Sequence, residues 1–135
     1  LPQTIGMMRT GLPHIMRPEE KTTAERTQEV QMVNTSDFFR TFERIDYMKC
    51  DIEGHEWEVF QLLGTILQEK RPIVQLEIDP KNEQNLFHFF SELNYVRCGL
   101  DGLVCKIETD KHYGGDYLFV PSEKKQLITF VLQLL

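Results

Sequence analysis

The 135-residue chain has little of what marks several large classes of protein. Its three cysteines, Cys50, Cys98 and Cys105, form no C-x-x-C pair, so neither a disulfide framework nor a structural zinc site is expected. No apolar run approaches the ~20 residues of a membrane-spanning helix. The first 20 residues also lack the continuous apolar stretch of a secretory signal. These absences predict a cytoplasmic protein that keeps its thiols reduced and enters no membrane.

Charge and short motifs exclude further classes. The formal net charge is -6, so the backbone of a nucleic acid would be repelled on average, and no nucleic-acid partner is expected. The chain contains neither G-x-G-x-x-G nor G-x-x-x-x-G-K-[ST], and therefore shows no glycine-rich loop that cradles a phosphate. It also lacks G-x-S-x-G, the turn that presents a nucleophilic serine in α/β-hydrolases.

The length and the local patterns predict one α/β domain or part of one. Because the chain starts at Leu1 without a methionine, we expect a piece of a longer gene product. Residues 1–29 are rich in proline, glycine, threonine and charge without a sustained period, which predicts an irregular arm. Residues 30–121 form the domain, and residues 122–135 are expected to form a C-terminal helix.

Within the domain, apolar runs alternate with helical patterns. Strands are predicted at residues 30–33, 45–52, 73–78, 95–98, 103–107 and 117–120. Helices are predicted after the capping residues 34–37, as one helix of about four turns between Gly54 and Pro72, and around residues 86–93 with Asn94 as a left-handed cap. The strand at 45–52 is expected to be covered on both faces, and the β-α-β order makes it parallel to 73–78. The last strands are expected to be antiparallel.

Ionisable residues concentrate where the strand at 45–52 ends. Asp51 and Glu53 stand at its carboxyl end, and Glu77 and Asp79 occupy the matching place on the next strand. Ligands of open parallel sheets bind beyond the carboxyl ends of the strands, so the two loops are expected to converge on one ligand. A carboxylate at a strand end can also simply cap amide groups. Two carboxylates in one place, however, raise the pKa of one of them unless a cation or a hydrogen-bond donor lies between them, and this favours a functional role.

The neighbouring residues have simpler readings. Glu56 and Glu58 fall in the first turn of a helix, where acidic side chains favour the helix dipole and need do no more. His55 could be a surface histidine, and Lys49 could lay its stem along the sheet with its amine in solvent. His55-Glu56 does not extend to H-E-x-x-H, because Val59 stands where the second histidine would be.

Residues 45–56 carry a resemblance to a known family. The segment I-D-Y-M-K-C-D-I-E-G-H-E is similar to the FkbM methyltransferase signature I-D-x-x-K-x-D-x-E-G-x-E, with the spacing matched throughout. Further likenesses cover residues 33–38, 71–78, 93–95 and 116–121, so the resemblance spans roughly residues 28–121. It implies the C-terminal part only of a class I, Rossmann-like methyltransferase sheet, in which parallel strands are followed by an antiparallel end.

The resemblance also implies a chemistry. It suggests methyl transfer from S-adenosylmethionine to a hydroxyl group of a sugar or another small metabolite. Asp51 would lie near the transferred methyl as base or orienting group and touch the cofactor, with Glu53 and His55 as further catalytic candidates. Glu77 and Lys49 would bind the acceptor. No metal ion is implied.

Residues 1–44 contain neither the glycine-rich turn nor the acidic residue that would hold the cofactor ribose, so half of the cofactor site is not expected in this chain. The strand at 45–52 should then present an open edge, through which the chain could pair with a second copy unless residues 30–33 cover it. Two other functions remain open. One is a non-catalytic interaction module, and the other is a metal-dependent hydrolase that uses Asp51, Glu53, His55 and Glu77.

Overall fold

The computed structural model describes residues 3–7, 13–15, 27–31, 33–101, 104–107 and 115–128. The strands are β1 (Gln3–Met7), β2 (Pro13–Ile15), β3 (Thr27–Val30), β4 (Tyr47–Cys50), β5 (Ile73–Glu77), β6 (Tyr95–Asp101), β7 (Val104–Ile107) and β8 (Asp116–Pro121). The helices are α1 (Thr35–Arg40), α2 (Glu56–Phe60), α3 (Gly64–Lys70) and α4 (Glu83–Glu92), with 3-10 turns at Pro80–Asn82 and Ser122–Lys124.

The strands form two sheets. The larger has five strands in the order β4-β5-β8-β6-β7, and β4 pairs in parallel with β5. β8 lies antiparallel between β5 and β6, and β7 closes the sheet antiparallel to β6. The mixed α/β fold, with parallel strands followed by an antiparallel end, is therefore confirmed for the described residues.

The smaller sheet corrects two expectations. β1, β2 and β3 form an antiparallel sheet in the order β2-β1-β3 that ends at Val30, although an irregular arm was expected for residues 1–29. These strands are short, and β1 pairs with β3 across a long stretch of sequence, so local periodicity gives too little signal. The strand predicted at 30–33 was wrong for the same reason: β3 already ends at Val30, and Val33 is 58% exposed outside any strand.

β4 is shorter and more exposed than the sequence predicts. It covers Tyr47–Cys50 instead of residues 45–52, and within the described part of the chain it pairs only with β5, at the edge of the sheet. Met48 is buried, but Tyr47 is 52% exposed and Lys49 is exposed, so the expectation of cover on both faces was wrong. An apolar run shows what a strand could bury, whereas its place in the sheet decides what it does bury.

The helix predicted between Gly54 and Pro72 is two helices. α2 ends at Phe60 and α3 starts at Gly64, and the turn between them has i→i+3 hydrogen bonds from Leu62 N–H to Val59 O (3.2 Å) and from Leu63 N–H to Phe60 O (2.9 Å). A tightened turn of this kind hardly disturbs the helical spacing of apolar residues, so the sequence pattern cannot reveal it.

The helix ends follow their sequence signals. The Asn34 side chain accepts a hydrogen bond from Asp37 N–H (3.0 Å) and caps α1. α3 ends at Lys70, and its C-cap residue Arg71 adopts the left-handed conformation (φ 51°) before Pro72. Asn94 is also left-handed (φ 59°), which confirms the predicted cap after α4. Residues 125–128 continue as helix after Ser122–Lys124, and the remainder of the predicted C-terminal helix lies outside the described residues.

The main hydrophobic core lies where α2, α3 and α4 pack on β4, β5 and β8. It is built from Met48, Phe60, Leu63, Ile66, Leu67, Val74, Leu76, Ile78, Leu86, Phe90, Tyr95, Tyr117 and Phe119. Phe90 stacks on Phe119 with ring centroids 4.0 Å apart. This packing fixes the carboxyl ends of β4 and β5 side by side.

Candidate functional site

A pocket of about 450 Å³ opens at the carboxyl ends of β4 and β5. Three segments build it: the loop after β4, the loop after β5 and the residue before β8. Its lining residues are Asp51, Glu53, Gly54, Glu56, Glu77, Ile78, Asp79, Pro80, Glu83 and Gly115. The convergence of the two strand-end loops, predicted from the β-α-β order, is confirmed.

The backbone of the β4–α2 loop has an unusual geometry. Glu53 and Gly54 both have positive φ, 52° and 92°. A Cβ on Gly54 would lie 2.7 Å from Lys81 Nζ and 3.1 Å from Asp79 Oδ2, so the chain passes close to the β5 loop at this point. Left-handed backbone at a residue other than glycine occurs often at functional sites.

Gly115 brings the third segment to the pocket. Its φ is 89°, and its carbonyl accepts a hydrogen bond from Ile78 N–H (2.6 Å). A Cβ there would lie 3.2 Å from Ile78 O, so a larger residue would push the segment before β8 away from the end of β5.

Three of the six acidic lining residues have partners. Glu56 is 1% exposed and accepts hydrogen bonds from Gly54 N–H (2.7 Å) and Asn82 Nδ2 (2.9 Å). Asp79 caps the following 3-10 turn by accepting from Lys81 N–H (3.0 Å), and its carboxylate lies 3.6 Å from Lys81 Nζ. Glu83 accepts from the Tyr117 hydroxyl (2.9 Å).

The carboxylates of the other three acids, Asp51, Glu53 and Glu77, make no hydrogen bond or ion pair with any residue in the described part of the chain. The pKa of the Glu77 carboxyl is raised, first by the charge of Asp51, then by desolvation and by the charges of Asp116 and Glu53. Asp116 is also its direct partner across β5 and β8, where like charges repel. The pocket therefore has a negative potential that its own residues do not cancel.

The structure places the sequence-predicted residues unequally. Asp51, Glu53 and Glu77 line the pocket together. Lys49 is exposed on β4 outside the lining, although its charge partly offsets the raised pKa of Glu77. His55 is exposed, caps α2 without a side-chain hydrogen bond and does not line the pocket. The roles assigned to these five residues remain predictions.

Sequence reasoning missed two contributions. Asn82 is 6% exposed and donates to both Gly54 O (2.9 Å) and Glu56 Oε2 (2.9 Å). Glu56 had been read as a helix-dipole residue, but its carboxylate is buried and holds the loop backbone. Neither contact has a local sequence signal, because the partners are separated by 26 or 28 residues.

Two absences among the described residues bear on the alternative functions. No group of three or more histidine, cysteine, aspartate or glutamate side chains there is arranged to hold a metal ion. Within the same ranges, no helix has the length and apolar character needed to cross a bilayer.

Comparison with protein families decides the identity. The model of the methyltransferase FkbM domain matches residues 7–99, which is more than half of the chain. The chain belongs to the FkbM methyltransferase family. The match includes β4, β5 and the two loops that line most of the pocket, and it starts earlier than the resemblance in the sequence suggested. No curated protein and no solved structure is significantly similar to this FkbM chain.

Proposed function

We propose that this FkbM domain takes part in S-adenosylmethionine-dependent methylation of a hydroxyl group on a sugar or small metabolite, on a class I methyltransferase sheet. One observation carries the proposal. Asp51 and Glu53 of the family signature share one pocket with Glu77, and none of the three is neutralised by a partner in the described residues. A parallel β4–β5 pair followed by antiparallel strands supports the sheet assignment.

The chemistry of the pocket suits the proposed cofactor. S-adenosylmethionine supplies an electrophilic methyl group on a positively charged sulfonium. Three carboxylates without partners favour a cation, and the raised pKa of Glu77 reflects their mutual repulsion. Asp51 is the residue of this chain that we assign to the cofactor's side of the pocket. The glycine-rich turn that would hold the rest of the cofactor is not in the sequence of residues 1–44.

The carboxylates also account for the acceptor's proton. A hydroxyl that attacks a methyl group must lose its proton, and a carboxylate within hydrogen-bond reach can take it. We assign this step to Asp51, at the end of β4. Glu53 and Glu77 accept hydrogen bonds from the other hydroxyls of the acceptor and so orient it, since orientation provides much of the rate enhancement.

The test compares turnover with cofactor affinity. In the full-length gene product, Asp51→Asn should lower methyl transfer from labelled S-adenosylmethionine to a panel of sugars by about 100-fold, while the Kd of S-adenosylhomocysteine changes far less. Asp37→Asn, an exposed aspartate on α1, makes the same charge change and is the control. Equal losses of turnover and affinity for Asp51→Asn would make it a cofactor-binding or structural residue. No methyl transfer to any hydroxyl in the wild type would refute the proposal.

The 135-residue chain by itself should bind the cofactor weakly, because the glycine-rich turn is not part of it. Isothermal titration calorimetry with S-adenosylmethionine measures this directly. Low-micromolar binding to the isolated chain would show that the residues described here hold the cofactor without that turn.

A second candidate function, binding to another copy of the chain, has one observation in its favour. β4 lies at the sheet edge in the described part of the chain, and the Tyr47 side chain on it is 52% exposed. Exposed strand edges pair readily with other strands. Sedimentation velocity at increasing protein concentration tests this candidate, and a monomer at every concentration would exclude it.

A further inference from the structure

The turn at residues 53–54 cannot be maintained by local preference alone. Glu53 has φ 52°, a backbone conformation that residues other than glycine and asparagine rarely adopt. The next residue, Gly54, also has a positive φ. Such backbone persists only where the surroundings determine it. Contacts that fix the turn must therefore come from elsewhere in the chain.

Two buried side chains supply these contacts. Glu56 accepts a hydrogen bond from Gly54 N–H at 2.7 Å, and Asn82 donates to Gly54 O at 2.9 Å. Asn82 also donates to the second carboxylate oxygen of Glu56 at 2.9 Å. Both backbone polar groups of Gly54 and both oxygens of Glu56 are thus satisfied within a closed network of three residues. The side chains are 1% and 6% exposed, so little water competes for these bonds.

The network connects two segments that are distant in sequence. Glu56 opens α2 after β4, whereas Asn82 ends the 3-10 turn after β5. The cap that Asp79 places on that turn fixes the backbone that carries Asn82. A contact between the loops is therefore made by buried hydrogen bonds, while the loop residues that face the pocket remain available to a ligand.

We propose that Glu56 and Asn82 are positioning residues, which hold the turn at residues 53–54 left-handed and thereby fix the separation of the carboxylates on the two sides of the pocket. Their effect on catalysis rests on the proposed methyl transfer, whereas their effect on the loop does not. Asp51 follows Cys50, which pairs with Leu76, so the β4–β5 register itself holds Asp51 beside Glu77. Glu53, on the turn, also raises the pKa of Glu77, and its share of that rise reports how closely the turn is held to the end of β5.

The test measures the pKa of Glu77 in variants of the 135-residue chain. Carboxyl ¹³C NMR gives this pKa, and the Gly54 amide proton reports its own hydrogen bond. Asn82→Ala removes both donated hydrogen bonds, and Glu56→Gln replaces one acceptor oxygen with an amide group that opposes the Asn82 amide. In both variants the pKa of Glu77 should fall part of the way toward that of a free glutamate, because Glu53 is no longer held near it, while Asp51 stays beside it through the β4–β5 pairing.

Matched controls separate this effect from general loss of charge or stability. Glu58→Gln is the control for Glu56→Gln, because it makes the same change at an exposed position of α2. Asn85→Ala is the control for Asn82→Ala, at an exposed position of α4. Neither should move the pKa of Glu77 or the Gly54 amide signal. Suppose that Glu56→Gln or Asn82→Ala abolishes the hydrogen bond of the Gly54 amide proton in a folded chain. If the pKa of Glu77 then stays at the wild-type value, the proposal is wrong.

A pair of changes that exchanges the acid and the amide covers the case in which Asn82→Ala fails to fold. Asn82→Asp puts a carboxylate against Glu56, and adding Glu56→Gln restores one donor and one acceptor between the two side chains. The double variant should therefore be more stable than Asn82→Asp alone, and its Gly54 amide signal should be closer to that of the wild type, because the amide oxygen introduced by Glu56→Gln can again accept from Gly54 N–H. A double variant no better than the single one would show that the two side chains do not act through each other.

The catalytic consequence has a separate readout. In the full-length gene product, Glu56→Gln should lower kcat by up to about 100-fold, as expected for a misplacement of about 1 Å, with a smaller change in KM. If no methyl transfer is found but the pKa of Glu77 responds, the proposed function fails and the positioning role stands. If methyl transfer is found and neither kcat nor the pKa responds, the positioning role alone fails.

Discussion

Arg71 should be more tolerant of glycine than of alanine, the reverse of the order inside a helix. Its backbone is left-handed (φ 51°, ψ 48°), and its guanidinium donates to Leu93 O (2.7 Å) and Asn94 O (3.1 Å). It also makes two 2.8 Å hydrogen bonds to Glu123 and lies 4.6 Å above the Tyr95 ring. These contacts tie the end of α3 to the turn before β6 and to the chain after β8.

The magnitude follows from these contacts. The Arg71 side chain is 22% exposed and the Glu123 side chain 51%, so the ion pair contributes at most about 1 kcal/mol. Arg71→Ala also removes two charge-assisted hydrogen bonds to carbonyls, one of them exposed, and the cation–π contact. Together these losses should lower the free energy of unfolding by about 3 kcal/mol. Glycine avoids the ~1–2 kcal/mol cost of a Cβ in left-handed backbone but adds ~0.4–1 kcal/mol of unfolded-state entropy. Arg71→Gly should therefore be about 0.5–1 kcal/mol more stable than Arg71→Ala.

Urea unfolding followed by circular dichroism measures both variants. Lys70, one residue earlier and still inside α3, is the control. There the order should be the ordinary one, with glycine about 1 kcal/mol less stable than alanine. An alanine variant at Arg71 as stable as the glycine variant, or more stable, would refute the reasoning.

Three further predictions concern charge, reactivity and packing. Arg71 lowers the pKa of Glu123 to about 2, so the ion pair should stabilise the wild type above pH ~4.5 and lose that effect as the pH falls toward 2. In urea unfolding, the free energy of unfolding of Glu123→Gln should therefore fall less between pH 7 and pH 3 than that of the wild type. Burial and the charges of Glu56 and Asp51 raise the pKa of the Cys50 thiol to about 12, so at pH 8 site-resolved mass spectrometry should find iodoacetamide labelling much slower in the folded than in the urea-unfolded chain. Phe90→Ala should cost about 3–5 kcal/mol of unfolding free energy, whereas the exposed Phe42→Ala should cost less than about 1 kcal/mol; similar losses would contradict the assigned core.

The parts of the fold that depend on neighbours in sequence were predictable. The Asn34 cap, the left-handed Asn94 and the antiparallel β6–β7 pair each follow from residues within one turn or hairpin. The break between α2 and α3 and the β1–β3 pair were not, because the first preserves helical spacing and the second joins distant segments. β4 was recognised as a strand, but its exposure depends on its place in the sheet.

The candidate site divides in the same way. The positions of Asp51 and Glu77 in one pocket followed from the β-α-β order, because neighbouring parallel strands have their carboxyl ends at the same edge of the sheet. The burial of the Glu56 carboxylate could not be predicted in this way, since it depends on a hydrogen bond from Asn82 in another loop. His55 shows the opposite error: it lies within the signature, but its side chain is exposed outside the pocket. Membership of a motif fixes a residue's position along the chain, whereas the direction of its side chain depends on backbone that the motif does not specify.

The partnered and unpartnered acids of the pocket differ in what they do for the fold. Removing the charge of Glu56 leaves the Gly54 amide and the Asn82 side chain with a poorer acceptor, so this carboxylate contributes to stability. Glu77 faces Asp116 across the sheet and Asp51 across the pocket, so its charge opposes folding, and Glu77→Gln should raise the free energy of unfolding at pH 7. Under the proposed function, a carboxylate that lowers the stability of the fold and lines an open pocket is retained for the acceptor that it binds. A stable Glu77→Gln variant with lower methyl-transfer activity would show that exchange directly, whereas a destabilised one would place Glu77 with the structural acids.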